Sequence, residues 1–351
     1  MFILGAIILL TTIIIIFTFN SNKVIEGNTL IFEKDSFKDG EFNCVEFDGE
    51  KLVLASGNNE GYYESKIIRT EEFRALVSSW NCRTNENASV EIQVKIKSKG
   101  KWSNYKTYGE WSTNGKNSGS VANQDDDVAN MKIDIISTKI GEYANGIRYK
   151  VILKGMNPEV DLVAFALTKK DEDKNEATDY FKTIKSVETI SQMDSGHPYS
   201  NVICSPTALT MVLKHYGVDI NLFDVADGVY DNGAGIFGNW SYNVAFASEC
   251  GLKAYVERGV TIDDIKIKIS QGLPIVASIR TDSEKFLEGS PMAYPAGHLL
   301  VVVGFENNGG EEYIIVNDPA AEKDTEVRRK YKVKQFENAW SGYTYVISEK
   351  E

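Results

Sequence analysis

The chain has 351 residues, 42% hydrophobic and 25% charged, with a formal net charge of -12. That length allows two domains of ordinary size, and the balance is that of a folded globular protein. The negative charge argues against nucleic acid as a partner and against electrostatic docking on an anionic membrane surface.

Residues 2–19 are almost wholly apolar and carry no charge, close to the span of a bilayer. No basic residue precedes the run, and Phe17-Thr18-Phe19-Asn20 is a poor cleavage site. The expectation is a single-pass anchor in the cell membrane with the globular part extracytoplasmic. A cleaved signal and a secreted protein are the alternative. Lys23, just after the span, pulls the orientation the other way.

Residues 28–168 follow a period of two. Val90, Ile92, Val94 and Ile96 alternate with Glu91, Gln93, Lys95 and Lys97, and Ile147, Tyr149, Val151 and Leu153 alternate with Arg148 and Lys150. Ile133 and Ile135 against Lys132 and Asp134 read the same way. Short strands with turn-rich stretches between them predict an antiparallel β-sandwich. Trp80, Trp102, Tyr105, Tyr108 and Trp111 are expected to be core and edge packing; exposed, they would suit sugar or peptide, which would make cell-wall material a partner of this domain. The charged run 169–176 reads as a solvated linker or exposed turn, and the domain boundary falls there.

Residues 180–351 open with a helix near 184–190 and close with apolar strands at 274–279, 299–305 and 313–316, with helices at 221–229, 242–250 and 261–270 between. Helices first and a sheet last indicate α+β. Cys204 stands before Ser205-Pro206, and Leu209, Val212, Leu213 and Tyr216 then mark one buried helical face. Ser205 fits an N-cap, Pro206 the first helical position and Gly217 the residue past the end. A thiol at a helix start is favoured as the thiolate. A lone cysteine before a helix is ordinarily a small buried apolar residue, so the rest of the site decides.

Of the three histidines, His298 opens the strand 299–303, which turns at Asn307-Asn308-Gly309-Gly310 and returns through 313–316. A hairpin centred between Asn308 and Gly309 puts His298 opposite Asn317-Asp318-Pro319. His298 is then a base for Cys204, and a carboxylate at Asp318 holds its tautomer. The Cys204 backbone N–H and the Gln192 amide are candidate oxyanion donors. No metal or cofactor is required by this chemistry. Asn239 and Trp240, in a glycine-rich loop, are candidate substrate contacts. Cys250 precedes Gly251 at a helix end, where dipole and spacing argue against a nucleophile. His197 and His215 read as surface or core residues. Cys44, Cys82 and the other two cysteines are too few and scattered for a disulfide framework or a zinc site; Cys44 and Cys82 pair in an oxidising compartment or stand free.

Gln192, Cys204-Ser205-Pro206-Thr207 with the apolar run behind it, Gly238-Asn239-Trp240, Pro274, Gly297-His298-Leu299, Val303-Gly304-Phe305, Asn317-Asp318-Pro319-Ala320, Val327-Arg328-Arg329, Gln335-Phe336 and Ala339-Trp340 together resemble the bacterial C39-like cysteine peptidase family. The β-rich part, with Ser79-Trp80 and Trp102, resembles the segment that accompanies this branch. The resemblance implies a papain-like fold, Cys204 as nucleophile, His298 as base, Asp318 as third member and Gln192 as oxyanion donor, acting on a peptide or protein. Asn317 is the alternative third member, since papain uses an asparagine. Two other readings stand beside hydrolysis. One is amidase action or acyl transfer on cell-wall peptides by the same triad; the other is a surface binding protein whose peptidase site is idle.

Overall fold

Alternation at 90–97 does what a half-buried strand requires: in the strand Ala88–Ser98 it buries Val90, Ile92, Val94 and Ile96 and leaves the intervening side chains part-exposed. The neighbouring strand Ala144–Gly155 sets Val151 opposite Ile92 and Tyr149 opposite Val94. These elements come from a computed structural model that describes residues 30–33, 35–113, 118–172, 179–283 and 287–350. Residues 2–19, read as a membrane segment, lie outside the described residues. Among those described, no helix is long and apolar enough to cross a membrane.

The N-terminal half is antiparallel and β-rich. Among the described residues its fourteen strands form one hydrogen-bonded network rather than two separate sheets. The cause is the strand Ile68–Arg83, long enough to change partners along its length: it pairs with Ala144–Gly155, Ile135–Thr138 and Glu159–Lys169. The strand read through 132–135 breaks at its centre. Lys132 pairs with Ile135, so Ile133-Asp134 is a two-residue hairpin turn, and Ile133 has a φ of 59°. Trp80, Tyr108 and Trp111 are core; Trp102 and Tyr105 lie part-exposed with Lys95 over both rings.

The run 169–176 begins inside the fold and not as a free linker. Lys169 closes a strand and pairs with Glu71 while buried; Lys170 reaches Glu72 at 2.7 Å and Glu172 reaches Arg258 at 3.1 Å.

In the C-terminal half the helices are α1 (Cys204–His215), α2 (Leu222–Val229), α3 (Trp240–Glu249), α4 (Ile262–Ser270) and α5 (Val333–Ala339). Asn221 caps α2, and at the start of α4 the Asp264 carboxylate accepts the Thr261 N–H at 2.7 Å. A six-stranded antiparallel sheet runs in the order Lys253–Arg258, Trp340–Ser348, Ile275–Ile279, His298–Asn308, Glu311–Asn317, Arg328–Lys332. The helix expected near 184–190 does not form. Instead Thr183 bridges Gly304, the Ile184 N–H donates to the Val303 carbonyl at 2.7 Å, and the Phe305 N–H donates to the Lys182 carbonyl at 2.9 Å. A bulge at Val303 frees those strand groups, and the 180–184 backbone satisfies them.

One core cluster contains residues of both halves, Trp80, Phe165, Leu209, Tyr242 and Val256 among them. Helix α3 lies along Ile68–Arg83, with Tyr242 edge-on to Trp80 and Trp111. The edge strand Lys253–Arg258 is covered from the first half: the Val256 N–H donates to Ser79 Oγ at 3.1 Å and the Ala254 N–H to Asn81 Oδ1 at 3.2 Å.

Candidate functional site

Helix α1 starts two residues earlier than the Ser205 cap and Pro206 start read from the sequence. Ile203 occupies the cap position with no side-chain hydrogen bond, and its carbonyl accepts from the Thr207 N–H at 3.0 Å. Ser205 is therefore not the cap. It lies inside the first turn, fully buried, its Oγ 2.9 Å from both Asn243 Oδ1 and Tyr345 Oη. Cys204 is the first helical residue, where main-chain N–H groups lack helical acceptors. Pro206 sits in the same turn, where its missing N–H costs nothing. Gly217, with φ of 78°, lies just past the end as expected.

The hairpin carries the second component. Asn308 pairs with Glu311, so Gly309-Gly310 is the turn, one residue later than the sequence centre. Both glycines have positive φ, 64° and 93°, as a two-residue turn of this hand requires. The bulge at Val303 then returns one residue of that slip, pairing Val301 with Asn317. His298 Nε2 and Asp318 Oδ1 come to 2.8 Å with both residues buried. The other ring nitrogen, Nδ1, is left free of Asp318, and the half-buried Cys204 thiol lies close enough to the ring for His298 to act on its ionisation.

Asp318 is the best-satisfied group here. Oδ1 also accepts from the Ala320 N–H at 3.0 Å; Oδ2 accepts from Tyr294 at 2.8 Å and from Tyr331 at 2.7 Å. Tyr294 does a second thing: its ring lies flat on His298, centroids 4.0 Å apart at 6°. Thr281 holds that tyrosine, accepting its N–H at Oγ1 and donating a main-chain N–H to its carbonyl. Nothing in the period or spacing of the sequence marked Tyr294 or Tyr331, since their contacts with Asp318 span 24 and 13 residues.

The electrostatics follow from these contacts. Burial alone raises the Cys204 thiol pKa, but the hydrogen bond and charge of His298, with the Leu299 and Ser205 N–H groups, bring it below the ordinary thiol value. Burial opposes the His298 imidazolium, yet the charge and hydrogen bond of Asp318, then Cys204, raise its pKa. Burial likewise opposes the Asp318 carboxylate, and His298, Tyr331 and Tyr294 together lower it. Cys250, by contrast, is pushed up to about 11 by burial and then by Glu249.

The remaining candidates fall as follows. Asn317 faces away from His298: its Nδ2 donates to the Glu188 carbonyl at 2.8 Å and its Oδ1 accepts from Arg328 at 3.0 Å. Gln192 is buried; its Nε2 donates to the Ser200 carbonyl at 2.7 Å, its N–H to Pro319 O at 2.9 Å, and its Oε1 has no partner. The segment before Cys204 is thereby tied to the Asp318 turn. Asn239 does not face solvent. It is buried, capping α3 through the Tyr242 N–H at 3.2 Å and donating to Asp231 at 2.9 Å, which leaves no surface for a substrate. Trp240 is part-exposed and packs on Tyr343 at 4.9 Å. His197 is buried among Tyr199, Phe223 and Phe237, and His215 reaches Ser186 at 3.0 Å. All four cysteines are free. Among the described residues no three His, Cys, Asp or Glu side chains gather as metal ligands would.

An α+β domain that sets a helix-start thiol against a histidine and a carboxylate on an antiparallel hairpin is the architecture of a cysteine peptidase domain. The family models agree: residues 184–348 match the Peptidase_C39 like family and residues 55–167 match the Peptidase C39 N-terminal domain. The chain belongs to the peptidase C39-like family, with a C39-like cysteine peptidase domain behind that N-terminal domain. Among solved structures, it resembles a putative C39-like peptidase from Bacillus anthracis at 18% identity and TM-score 0.35, covering 48% of this chain and 99% of that one. It resembles the peptidase domain of Streptococcus ComA, a bifunctional ABC transporter of a quorum-sensing pathway, at 18% and 0.33, covering 47% and 99%. A double glycine motif protease from an AMS/PCAT transporter, in complex with the leader peptide, stands at 19% and 0.32, covering 49% and 94%. Likeness at this level transfers no substrate to this chain. No curated protein matches the sequence.

Proposed function

We propose that the chain is an extracytoplasmic, membrane-tethered cysteine peptidase whose triad is Cys204, His298 and Asp318. The observation that carries this reading is the 2.8 Å contact of His298 Nε2 with Asp318 Oδ1, which leaves Nδ1 for the thiol. The pairing lowers the Cys204 pKa and raises that of His298, which favours a thiolate–imidazolium pair in the resting site. The thiolate attacks a peptide carbonyl carbon, and the oxyanion is held by the Cys204 N–H and by a Gln192 amide N–H beyond the one given to Ser200. His298 protonates the amine as the C–N bond breaks and leaves a thioester. The neutral ring then takes a proton from water, whose oxygen attacks the thioester and releases the acid and Cys204. Asp318 keeps the imidazole oriented throughout.

The test is peptide-library digestion read by mass spectrometry, using the parent chain and Cys204→Ala. The expected result is a set of products abolished by the substitution and by iodoacetamide. The same products from Cys204→Ala would overturn the assignment. Tethering rests on residues 2–19 alone. Fractionation with external protease digestion should place the protein in membranes and accessible; recovery in the soluble cytoplasm would reject it.

A further inference from the structure

The two-residue turn Ile133-Asp134 of the N-terminal half is costly in two ways. Ile133 holds a φ of 59°, a region that β-branched residues avoid and that such turns normally give to glycine or asparagine. Asp134 is buried, and burial pushes its carboxyl up to about 7 although main-chain N–H groups of Trp240 and Ser241 favour the anion. The nearby Asp231 charge works against it too. Strain and desolvation at adjacent residues persist where surrounding contacts repay them. The main contact is the Trp240 N–H, which donates to Asp134 Oδ2 at 2.6 Å. Asn239 caps the same helix, so α3 receives one cap from its own segment and one from the other half of the chain.

That helix leads to the site. Asn243, one turn after Trp240 and on the same helical face, contacts Ser205, the neighbour of Cys204. Trp240 packs on Tyr343, and Tyr345, two residues along the same strand face, reaches Ser205 Oγ at 2.9 Å. More of the N-terminal half grips the segment entering α3: the Ser120 N–H donates to Asp231 Oδ1 at 2.8 Å, and a Cβ on Gly233 would stand 1.8 Å from the Ser120 carbonyl oxygen.

We infer that Asp134 is a positioning residue, supplied by the N-terminal domain, that fixes the first turn of α3 and thereby sets Trp240 beside the Cys204 end of α1. The N-terminal domain on this account helps to order the elements around Cys204. The inference extends the peptidase reading, but one arm of its test does not depend on it.

In the full chain, Asp134→Ala removes the acceptor and Asp134→Asn keeps one. Trp240 emission is read as the difference between each protein and its Trp240→Phe counterpart. Asp134→Ala should shift that emission to the red, and Asp134→Asn should restore it. On any peptide the parent cleaves, Asp134→Ala should raise KM by about tenfold with kcat within about threefold, and Asn should recover most of the loss. Unaltered Trp240 emission in both variants would overturn the inference. So would a fall in kcat with KM unchanged that tracks a lowered melting temperature in both. If the parent cleaves nothing, the peptidase reading fails while the emission arm still decides this one.

Discussion

At the scale of single residues, the site turns on how Asp318 is held. A carboxylate fully withdrawn from water stays ionised only if its lone pairs are met, and four donors meet them here. Hydrogen bonds to charged groups are worth about 1.5–3 kcal/mol. Tyr331→Phe removes one such bond and nothing else near His298, so kcat/KM should fall roughly tenfold with little change in fold. Tyr294→Phe removes another bond but keeps the ring that lies on His298. Tyr294→Ala removes both, and should cost kcat/KM more than Tyr294→Phe by at least a further factor of about ten. Equal losses for Phe and Ala would show that the stacking contributes nothing. Steady-state kinetics on the three variants decides this.

At the scale of elements, the decisive piece is the hairpin with the segment docked on its bulge. A Cβ at Gly304 would meet the Lys182 carbonyl oxygen at 2.5 Å. Gly304→Ala should therefore lift the 180–184 segment, lower stability by about 1–3 kcal/mol in chemical denaturation, and loosen Gln192 downstream. An unchanged midpoint would mean that this docking is slack. Much of this hairpin was legible beforehand, because two apolar runs around paired glycines have one plausible pairing. The turn lies one residue later than its apparent centre, and the bulge nearly compensates, so His298 and Asp318 still meet. Helix α1 was legible from its apolar spacing, though not its cap, since Ser205 spends its hydroxyl on Asn243 and Tyr345. What the pattern could not show was side-chain traffic between distant segments. Asp134 looked like the solvent side of a strand, and the segment at 184–190 looked helical because its partners lie over a hundred residues away.

At the scale of the whole molecule, the two halves are one packed body. The buried cluster crosses between them, and Cys82, Thr84 and Ser79 bond to residues of the C-terminal half. A core shared this way should unfold as a unit. Calorimetry of the full chain is expected to give a single transition; two transitions tens of degrees apart would mean that the halves fold independently.

The central claim is that His298 and Asp318 hold Cys204 as a thiolate. The direct measurement is the pH dependence of Cys204 alkylation by iodoacetamide, followed at the Cys204 peptide with N-acetylcysteine as the reference thiol. Burial pushes the Cys204 pKa up and His298 brings it down past the ordinary value, so alkylation should persist to lower pH than for the reference thiol. His298→Ala should move the Cys204 profile upward, and Asp318→Asn should move it the same way by less. A Cys204 profile that coincides with that of an ordinary thiol and ignores both substitutions would contradict the account.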